Sequence, residues 1–563
     1  MIASRMKINI KQLIFLVFIT LLGIFFFFHK LSSIPPGIYV DEALHGYSAY
    51  SILETGKDEY GKAFPLVFRL YGSYNEPLYI YLTTLPIKLW DLNVFSLRFV
   101  AALSGFATVF VVYLFLKSMK ISTLGSLFFS ITPVVVFQGR IGWEVALAFF
   151  LFCLGSLFLW FSVRNPKWII AGFFVLSLST YAAYAERFTV PFLIFFFFVA
   201  FRKSLLARAN IRYFIYASLL LVLTQIPHLI LLFTPAFFPK TQEIGTQAIL
   251  TQADKLLGLV PKPLALILSF IREFLSQFVN YFSPRTLFLT ESKDLPGLPL
   301  FYQWMTVPYL LGLFVLFRDK IKDRSRFILL LALATPITAS LTKDPFPVHR
   351  AMPIVLPLIL VISMGIDSVL KFRFFKKDNF NRAFKSVLVV LLFLISILFF
   401  FRSYIVFFPK EKAKYWGYGY STLAEIIKTN SDKHFVIDQA RLPIPYTELA
   451  FFLKVPPSHF QSTVDQKIKM RYYDNLPFDR NFHFLNLETR EIDWEKDIYR
   501  SQILVGDSLA VSPQQAEEHF LEKVFEIKDP LDEVVFQGYK TNPEQKCRAT
   551  HNKSPLCLPS STF

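Results

Sequence analysis

Long apolar runs separated by short polar segments dominate the first 408 residues of the chain. Most of these runs approach the roughly 20 residues that a helix needs to cross the hydrocarbon core of a bilayer. The pattern therefore predicts a polytopic α-helical membrane protein with about eleven spans. They lie near residues 12–29, 97–116, 122–138, 145–163, 168–184, 188–201, 213–234, 304–317, 327–341, 351–370 and 386–408.

The tail has a different pattern, with short apolar runs set among charged residues. Runs of this length, bounded by turn residues, are typical of strands. A helix is predicted after Ser512-Pro513, because a serine cap followed by proline is a helix start signal. The chain therefore divides into a transmembrane domain, 1–408, and a C-terminal soluble α/β domain, 409–563. Strands are predicted at 434–439, 449–455, 501–506, 523–528 and 533–540.

The composition excludes several classes of protein. Apolar residues make up 54% of the chain, Phe alone occurs 66 times, and charged residues fall to 18%, against about 25% in soluble domains. A soluble enzyme, a disordered protein and a collagen-like fibre are all excluded. Three cysteines are too few for a disulfide scaffold or a zinc ribbon. Cys547 and Cys557 could still pair in an oxidising compartment, whereas Cys153 lies in a span.

The positive charge of +18 belongs to the membrane half. Residues 1–408 hold 39 Lys and Arg against 19 Asp and Glu, and residues 409–563 hold 20 against 22. This distribution argues against nucleic acid as a partner. With the N-terminus in the cytoplasm, 22 of the 39 cations fall in cytoplasmic segments, together with three acids. The positive-inside rule is then satisfied, and we expect a multi-pass plasma-membrane protein with an extracytoplasmic tail.

Two of the predicted outer loops, 30–96 and 235–303, are far longer than connectors. Loops above about 12–15 residues are usually functional. The first loop carries two predicted surface helices. One runs from Asp41 to Gly56, and the other begins at Asn75-Glu76-Pro77 and continues to Trp90.

Asp41 has two interpretations. Aspartate is a favoured N-cap and is stabilised at a helix N-terminus, so a structural role is the simpler one. However, Asp41 follows the first span by only a dozen residues and lies beside Glu42 and near His45. A carboxylate at the membrane edge can act as a general base for an acceptor hydroxyl or amine, or as a metal ligand.

Further ionisable residues gather at the outer ends of the spans. Arg140 and Glu144 are four residues apart and could simply pair. Charge near a bilayer is costly, so such residues are rarely incidental. Arginines converging from different loops would form an anion site, because the guanidinium binds phosphate through two donors. The remaining outer candidates are Glu186, Arg187, Arg285, Lys343, Asp344, His349 and Arg350.

Four segments together resemble a known family. They are Asp41-Glu42 at the head of the long first loop, Gly139-Arg140 followed by Glu144, the stretch from Tyr181 to Pro191, and Phe282–Phe288 followed by Gly297-Leu298-Pro299. Their order and sidedness resemble those of the polytopic lipid-linked-sugar glycosyltransferases. This group includes protein O-mannosyltransferases, the aminoarabinose transferases acting on lipid A, and bacterial glycosyltransferases of the same clan.

The resemblance implies a GT-C-type fold and an inverting transfer of a sugar from a polyprenyl-phosphate donor to a lipid, glycan or protein acceptor on the outer face. It implies that Asp41 is the catalytic base, with Glu42 beside it. Arg140, Arg285 and Arg350 are implied to hold the donor phosphate. Family members often have Asp where this chain has Glu144, and their dependence on a divalent metal varies. The other residues assigned to substrate binding on this basis are Glu144, Glu186, Arg187 and His349.

Two other classes of function compete with glycosyl transfer. A transporter or lipid flippase would place its site near the membrane midplane, often with internal repeats. In this chain the ionisable residues gather at outer ends and the two halves show no repeat. An assembly protein without catalysis is the third class. Sugar transfer from a radiolabelled polyprenyl-phosphate sugar in membranes discriminates among the three.

The charge asymmetry predicts which positions are accessible from outside the cell. We expect an impermeant thiol reagent to label single cysteines introduced at positions 60, 290 and 480. Cysteines at positions 210, 321 and 377 should remain unlabelled until the membrane is opened. Labelling of position 377 in sealed cells would overturn the whole orientation.

Overall fold

The structure is a computed structural model that describes residues 9–70, 73–238, 245–319, 322–343, 348–442, 444–474, 481–550 and 554–557. Asp344 and positions 321 and 480, which were named above, lie outside the described residues. The predicted helical character of the first 408 residues is confirmed. The α-helices are α1 Ile10–Phe28, α2 Val40–Thr55, α3 Pro77–Trp90, α4 Val94–Ser118, α5 Leu124–Phe129, α6 Pro133–Gln138, α7 Val145–Ser162, α8 Trp168–Ser179, α9 Glu186–Leu205, α10 Ile211–Thr224, α11 Ile226–Leu231, α12 Thr246–Leu256, α13 Lys262–Asn280, α14 Thr306–Arg318, α15 Lys322–Ala334, α16 Val348–Ala351, α17 Val355–Lys371, α18 Asp378–Phe400, α19 Phe408–Glu411, α20 Tyr420–Thr429, α21 Pro445–Leu453, α22 Pro457–Thr463, α23 Gln466–Met470, α24 Pro513–Glu518 and α25 Pro543–Ala549.

Seven helical segments of the described chain are long and apolar enough to cross a membrane. Helices α8 and α10 are apolar but shorter. The chain is therefore a multi-pass membrane protein, while the count of eleven spans stays a prediction. The seven segments are Ile10–Phe28, Val94–Ser118, Val145–Ser162, Glu186–Leu205, Lys322–Leu341, His349–Lys371 and Asp378–Glu411.

Two of the predicted spans are interrupted in the structure. The run 122–138 forms α5 and α6, with Pro133 in the first turn of α6. The run 213–234 forms α10 and α11, which meet at Gln225 just before Pro227. Proline lacks the N–H that would continue a helix but fits the first turn of a new one. Hydropathy alone does not reveal these interruptions, because the apolar runs are continuous.

The chain folds into two compact units. The helical unit comprises Met1–Leu31, Ser73–Leu82 and Arg98–Ile405. The mixed unit comprises Ser32–Gly72, Thr83–Leu97 and Val406–Phe563. The last change of unit lies close to the predicted boundary at residue 408, but most of the first outer loop belongs with the tail. The two-domain division at 408 stays a prediction.

The mixed unit is built on a six-stranded sheet with the order β4-β5-β3-β6-β8-β7. Strand β3 runs parallel to both β5 and β6, and the other pairings are antiparallel. The core between this sheet and α20 contains Leu423, Ile427, Phe435, Ile437 and Leu449. The strands of the chain are β1 Phe68–Leu70, β2 Ser73–Asn75, β3 Phe435–Asp438, β4 Phe482–Phe484, β5 Leu487–Arg490, β6 Ile503–Gly506, β7 Glu522–Lys528 and β8 Val534–Lys540.

Four of the five strands predicted in the tail are present, and the fifth is wrong. Most of the run 449–455 lies in α21, Pro445–Leu453, which is followed by the C-cap residue Lys454 with a φ of 51°. Short apolar runs fit a buried helix as well as a strand, and proline in the first turn decides for the helix here. The predicted helix after Ser512 is α24, closed by a capping box with Gln515. Cys547 and Cys557 form a disulfide.

Helices α14 and α17 of the helical unit touch through their backbones. A Cβ atom on Gly312 would lie 1.9 Å from the carbonyl oxygen of Val361, and one on Gly365 would lie 1.8 Å from that of Pro308. Small residues at helix crossings allow this close approach, which stabilises helix pairs in lipid through dispersion contacts. The two glycines therefore determine the separation of these helices.

We expect Gly365→Ala to lower the thermal stability of the protein in detergent. The methyl group must push the two backbones apart, and such overpacking costs about 1–3 kcal/mol or more. Gly245→Ala is the matched control, because a Cβ there would have its nearest neighbour at 3.7 Å. Equal melting temperatures for the two variants would contradict the close crossing.

Candidate functional site

Asp41 and Glu42 lie in the first turn of α2. The helix begins one residue earlier than predicted, with Tyr39 as the N-cap residue. Glu42 is fully buried, and its Oε2 accepts a hydrogen bond of 3.0 Å from the backbone N–H of Tyr39. Glu42 therefore caps the N-terminus of α2. Asp41 is not the N-cap, but it lies in the first turn, where the helix dipole stabilises a negative charge. Its catalytic role stays a prediction.

A second carboxylate from the tail lies in the electrostatic environment of Asp41. Glu448 in α21 is buried, and this burial raises its pKa to about 7. The hydroxyl of Thr447 donates a hydrogen bond to Glu448 and partly offsets that effect, while the charge of Asp41 raises the pKa further. Sequence reasoning missed this pairing, because more than 400 residues separate the two acids.

Aromatic rings cover the start of α2. The ring of Tyr39 stacks on Tyr415 at a centroid distance of 5.5 Å and lies 5.6 Å from Trp416. Burial raises the pKa of Tyr39 well above its usual range, and the charge of Asp41 adds to the shift. The charge of Asp41 therefore acts on a partly buried aromatic cluster at the start of α2.

The rest of α2 is fixed to tail elements inside the mixed unit. The hydroxyl of Tyr47 donates to the carbonyl of Val455 at 2.8 Å. A Cβ on Gly46 would lie 2.6 Å from the Phe451 ring, so only glycine allows this contact. Gln461 Nε2 donates to the hydroxyl of Thr55 at 2.8 Å. These contacts place Asp41 on a rigid element.

The loop after α2 is held by buried carboxylates. Asp58 Oδ1 accepts from the backbone N–H groups of Tyr60 and Lys62 at 3.1 and 2.7 Å, and Tyr472 donates its hydroxyl to the other oxygen. Glu59 accepts from the hydroxyl of Ser48. Burial raises the pKa of Asp58 to about 6 and that of Glu59 to about 8. These acids were not predicted, because their role depends on a tail tyrosine far away in sequence.

Arg140 is fully buried in the helical unit. Its Nη1 and Nη2 each donate a 2.8 Å hydrogen bond, to the carbonyls of Phe26 and His29, and its Nε donates to Tyr404 at 3.2 Å. Carbonyls at a helix C-terminus have no partners within the helix. Arg140 therefore caps α1, and the observed hydrogen bonds account for all three of its guanidinium nitrogens.

The cavity beside Arg140 is small. It measures about 30 Å³, far below the roughly 300–1,000 Å³ of small-molecule sites. Six of its nine lining residues are Phe or Ile side chains from α1, from α18 and from the turns that follow α18, and neither Arg285 nor Arg350 lines it. The convergence of these three arginines on one phosphate site stays a prediction.

Arg187 belongs to a buried charge cluster. It forms an ion pair of 2.7 Å with Glu76 and donates from Nη1 to the carbonyl of Phe237 at 3.1 Å. His228 lies 3.8 Å from the same carboxylate. Glu186 is buried next to Arg187 in sequence, and among the described residues its Oε2 has no hydrogen-bond partner. Glu76 and His228 were not predicted as members of this cluster.

The other candidates occupy three different segments. Glu144 directly precedes α7, and its carbonyl accepts the N–H of Ala148 at 2.9 Å. Arg285 begins a π-helical turn, Arg285–Leu289, and is exposed. His349 and Arg350 lie in α16, with His349 exposed and Arg350 half-buried. Their roles in substrate binding stay predictions.

The metal question was left open by the sequence. Within the described ranges, no group of three or more His, Cys, Asp or Glu side chains is arranged to hold a metal ion.

No family model and no curated protein matches the sequence of this chain. Among solved structures, the aminoarabinose transferase ArnT from Cupriavidus metallidurans, bound to undecaprenyl phosphate, aligns with a TM-score of 0.52. The alignment covers 97% of this chain and 99% of that chain at 11% identity. The chain has the fold of ArnT. The polytopic GT-C-type fold implied by the family resemblance is thus confirmed.

Other alignments involve the oligosaccharyltransferase AglB of Archaeoglobus fulgidus. Its complex with an inhibitory peptide and a dolichol-phosphate covers 98% of this chain and 75% of that chain at 13% identity, with a TM-score of 0.48. Its apo form gives a TM-score of 0.49 over 94% of this chain and 74% of that chain, also at 13% identity.

Glu448 predicts a pH dependence of stability. Its pKa is about 7 in the folded protein against an ordinary value of 4.5, so the folded state binds the extra proton between these values. Stability is then greatest below pH 4.5 and falls as the pH rises towards 7, by about 3 kcal/mol for this group. We expect Glu448→Gln to flatten this decline.

The measurement is the melting temperature at pH 5 and pH 7.5 for wild type and variant. Glu425→Gln is the control, because Glu425 is exposed on the neighbouring helix α20. An unchanged pH slope in Glu448→Gln would contradict the buried, proton-binding carboxyl.

Proposed function

We propose that the chain is a membrane glycosyltransferase that moves a sugar from a polyprenyl-phosphate donor to an acceptor on the outer face of the membrane, with inversion at the anomeric carbon. The observation that carries the proposal is the fold likeness to ArnT across nearly the whole of both chains. That structure contains undecaprenyl phosphate, a lipid carrier of the proposed class.

In the proposed reaction Asp41 is the general base. It accepts the proton of the acceptor hydroxyl or amine while the acceptor atom bonds to the anomeric carbon. The bond between that carbon and the phosphate oxygen breaks, and the lipid phosphate leaves with the electron pair. A single displacement without an enzyme nucleophile inverts the anomeric centre. The tail contacts that fix α2, the helix that carries Asp41, support this role, because a base must be held in the geometry of the transfer.

The leaving phosphate gains negative charge and requires fixed cations nearby. Of the three arginines first assigned to this task, Arg140 is occupied by the end of α1 and Tyr404. We therefore assign the phosphate to Arg285 and Arg350. Arg285 is exposed on a π-helical turn, a feature often found at functional sites.

The orientation belongs to the same proposal. The N-terminus lies in the cytoplasm, the tail lies outside, and the protein resides in the plasma membrane. Polyprenyl phosphate cannot leave the bilayer, so a site at the outer span ends meets both the lipid-bound donor and the acceptor. Sugar transfer measured with and without a chelator tests whether the reaction depends on a divalent metal.

Asp41→Asn tests the assignment of the base. The substitution keeps the size of the side chain and removes its charge and its proton-accepting power. We expect folding and donor binding to persist while turnover falls about 10²–10⁴-fold, the usual contribution of a general base. Asp41→Glu should recover little, because the added methylene displaces the carboxylate.

The assay is sugar transfer by purified protein in detergent, with the melting temperature measured alongside. Asp432→Asn, at an exposed position of the tail, is the matched control and should retain activity. If Asp41 only stabilises the helix N-terminus electrostatically, Asp41→Asn should lower the stability by about 0.3–1 kcal/mol and leave turnover unchanged. Near wild-type turnover in Asp41→Asn would refute the assignment, and Glu448 would become the next residue to test.

A further inference from the structure

The tail has an open polar cleft at the carboxyl ends of two parallel strands. Gln439 follows β3 and Arg490 ends β5, and both line a cavity of about 480 Å³. The volume lies within the range of small-molecule sites, about 300–1,000 Å³. Sheets with parallel strands bind ligands at the carboxyl ends of those strands. The site proposed for sugar transfer does not use this cleft.

A buried amide in the cleft has spare hydrogen-bonding capacity. Gln439 is 8% exposed, and its Nε2 donates to Asn481 Oδ1 at 2.7 Å. Within the described part of the chain, its Oε1 has no hydrogen-bond partner. A buried polar atom without a partner destabilises the fold. A ligand hydroxyl that donates to this oxygen would remove that destabilisation.

The charges around the cleft are already largely neutralised by one another. Arg490 donates to both oxygens of Asp497 at 2.7 and 2.8 Å and to Glu488 at 2.6 Å. Lys496 pairs with Asp493 at 2.9 Å. The wall thus holds four carboxylates against three cations, counting Glu491 and Arg500.

This balance argues against an anionic ligand. A phosphate group accepts hydrogen bonds and carries negative charge, so it would meet a wall with excess negative charge and with two of its three cations already paired. A sugar hydroxyl both donates and accepts. It therefore fits a surface of carboxylate acceptors and guanidinium donors with one buried amide oxygen that lacks a partner among the described residues.

We propose that this cleft binds a neutral, polyhydroxylated ligand. Resting on the proposed glycosyltransferase function, we identify this ligand as the carbohydrate part of the acceptor. The tail then selects the acceptor, whereas Asp41 activates it.

The test uses full-length protein in nanodiscs on a printed array of neutral and phosphorylated oligosaccharides, without donor lipid. We expect binding to neutral glycans. Glu491→Trp changes an exposed lining residue, so it fills the mouth without disturbing the core. It should weaken binding at least tenfold at an unchanged melting temperature, and Gln439→Leu should weaken it similarly. Gln514→Leu, exposed on α24 and outside the cleft, should bind like wild type.

Three outcomes would overturn the inference: selective binding of phosphorylated glycans, absence of glycan binding, or neutral binding that both cleft variants leave intact. The array measures binding alone, so an absence of glycan binding would not contradict the proposed transfer reaction. If the protein binds glycans but transfers no sugar, the proposed function is refuted, whereas the inference that the cleft binds a glycan is retained.

Discussion

The interior of a bilayer offers no hydrogen-bond partner to a protein, and the polar groups of the helical unit are arranged under this constraint. The guanidinium of Arg140 takes up the carbonyls at the end of α1. Hydroxyls within the helices donate to carbonyls one turn back, as Ser104, Thr108 and Ser363 do. Ionisable side chains near the span ends therefore serve first to satisfy polar groups of the protein itself. Only a side chain with further hydrogen-bonding capacity can also bind a ligand.

The same constraint separates two kinds of arginine in this protein. Arg140 and Arg187 are buried, with carbonyls or a carboxylate as partners. Removing either would leave buried acceptors unsatisfied, which costs more than the bond itself contributes. Loss of activity in such a variant would reflect loss of structure. Arg285 is exposed, so its substitution reports on ligand binding more directly.

The sequence was sufficient for the helical character of the first 408 residues, because apolar runs of membrane length have few alternatives. It also predicted α2 and α3 closely, from Gly56 and Pro77 at their ends. It did not predict that α2 packs within the mixed unit, since the contacts of Tyr47 and Gly46 reach tail residues about 400 positions away. Strands β4 and β5 were missed because they lack the consecutive apolar residues that mark the equally short β3 and β6.

Asp41 shows most clearly what a local pattern leaves out. In the sequence, Asp41 and Glu42 form a single acidic pair at a helix start. In the structure, the two side chains have different environments. Glu42 turns back to the N–H of Tyr39 and is buried, while the third carboxylate, Glu448, arrives from α21 with a raised pKa. Adjacent acids whose environments differ in this way can divide the work of holding and accepting protons. A protonated Glu448 spares Asp41 the repulsion of a like charge, so the tail helix shapes the electrostatic surroundings in which the proposed base acts.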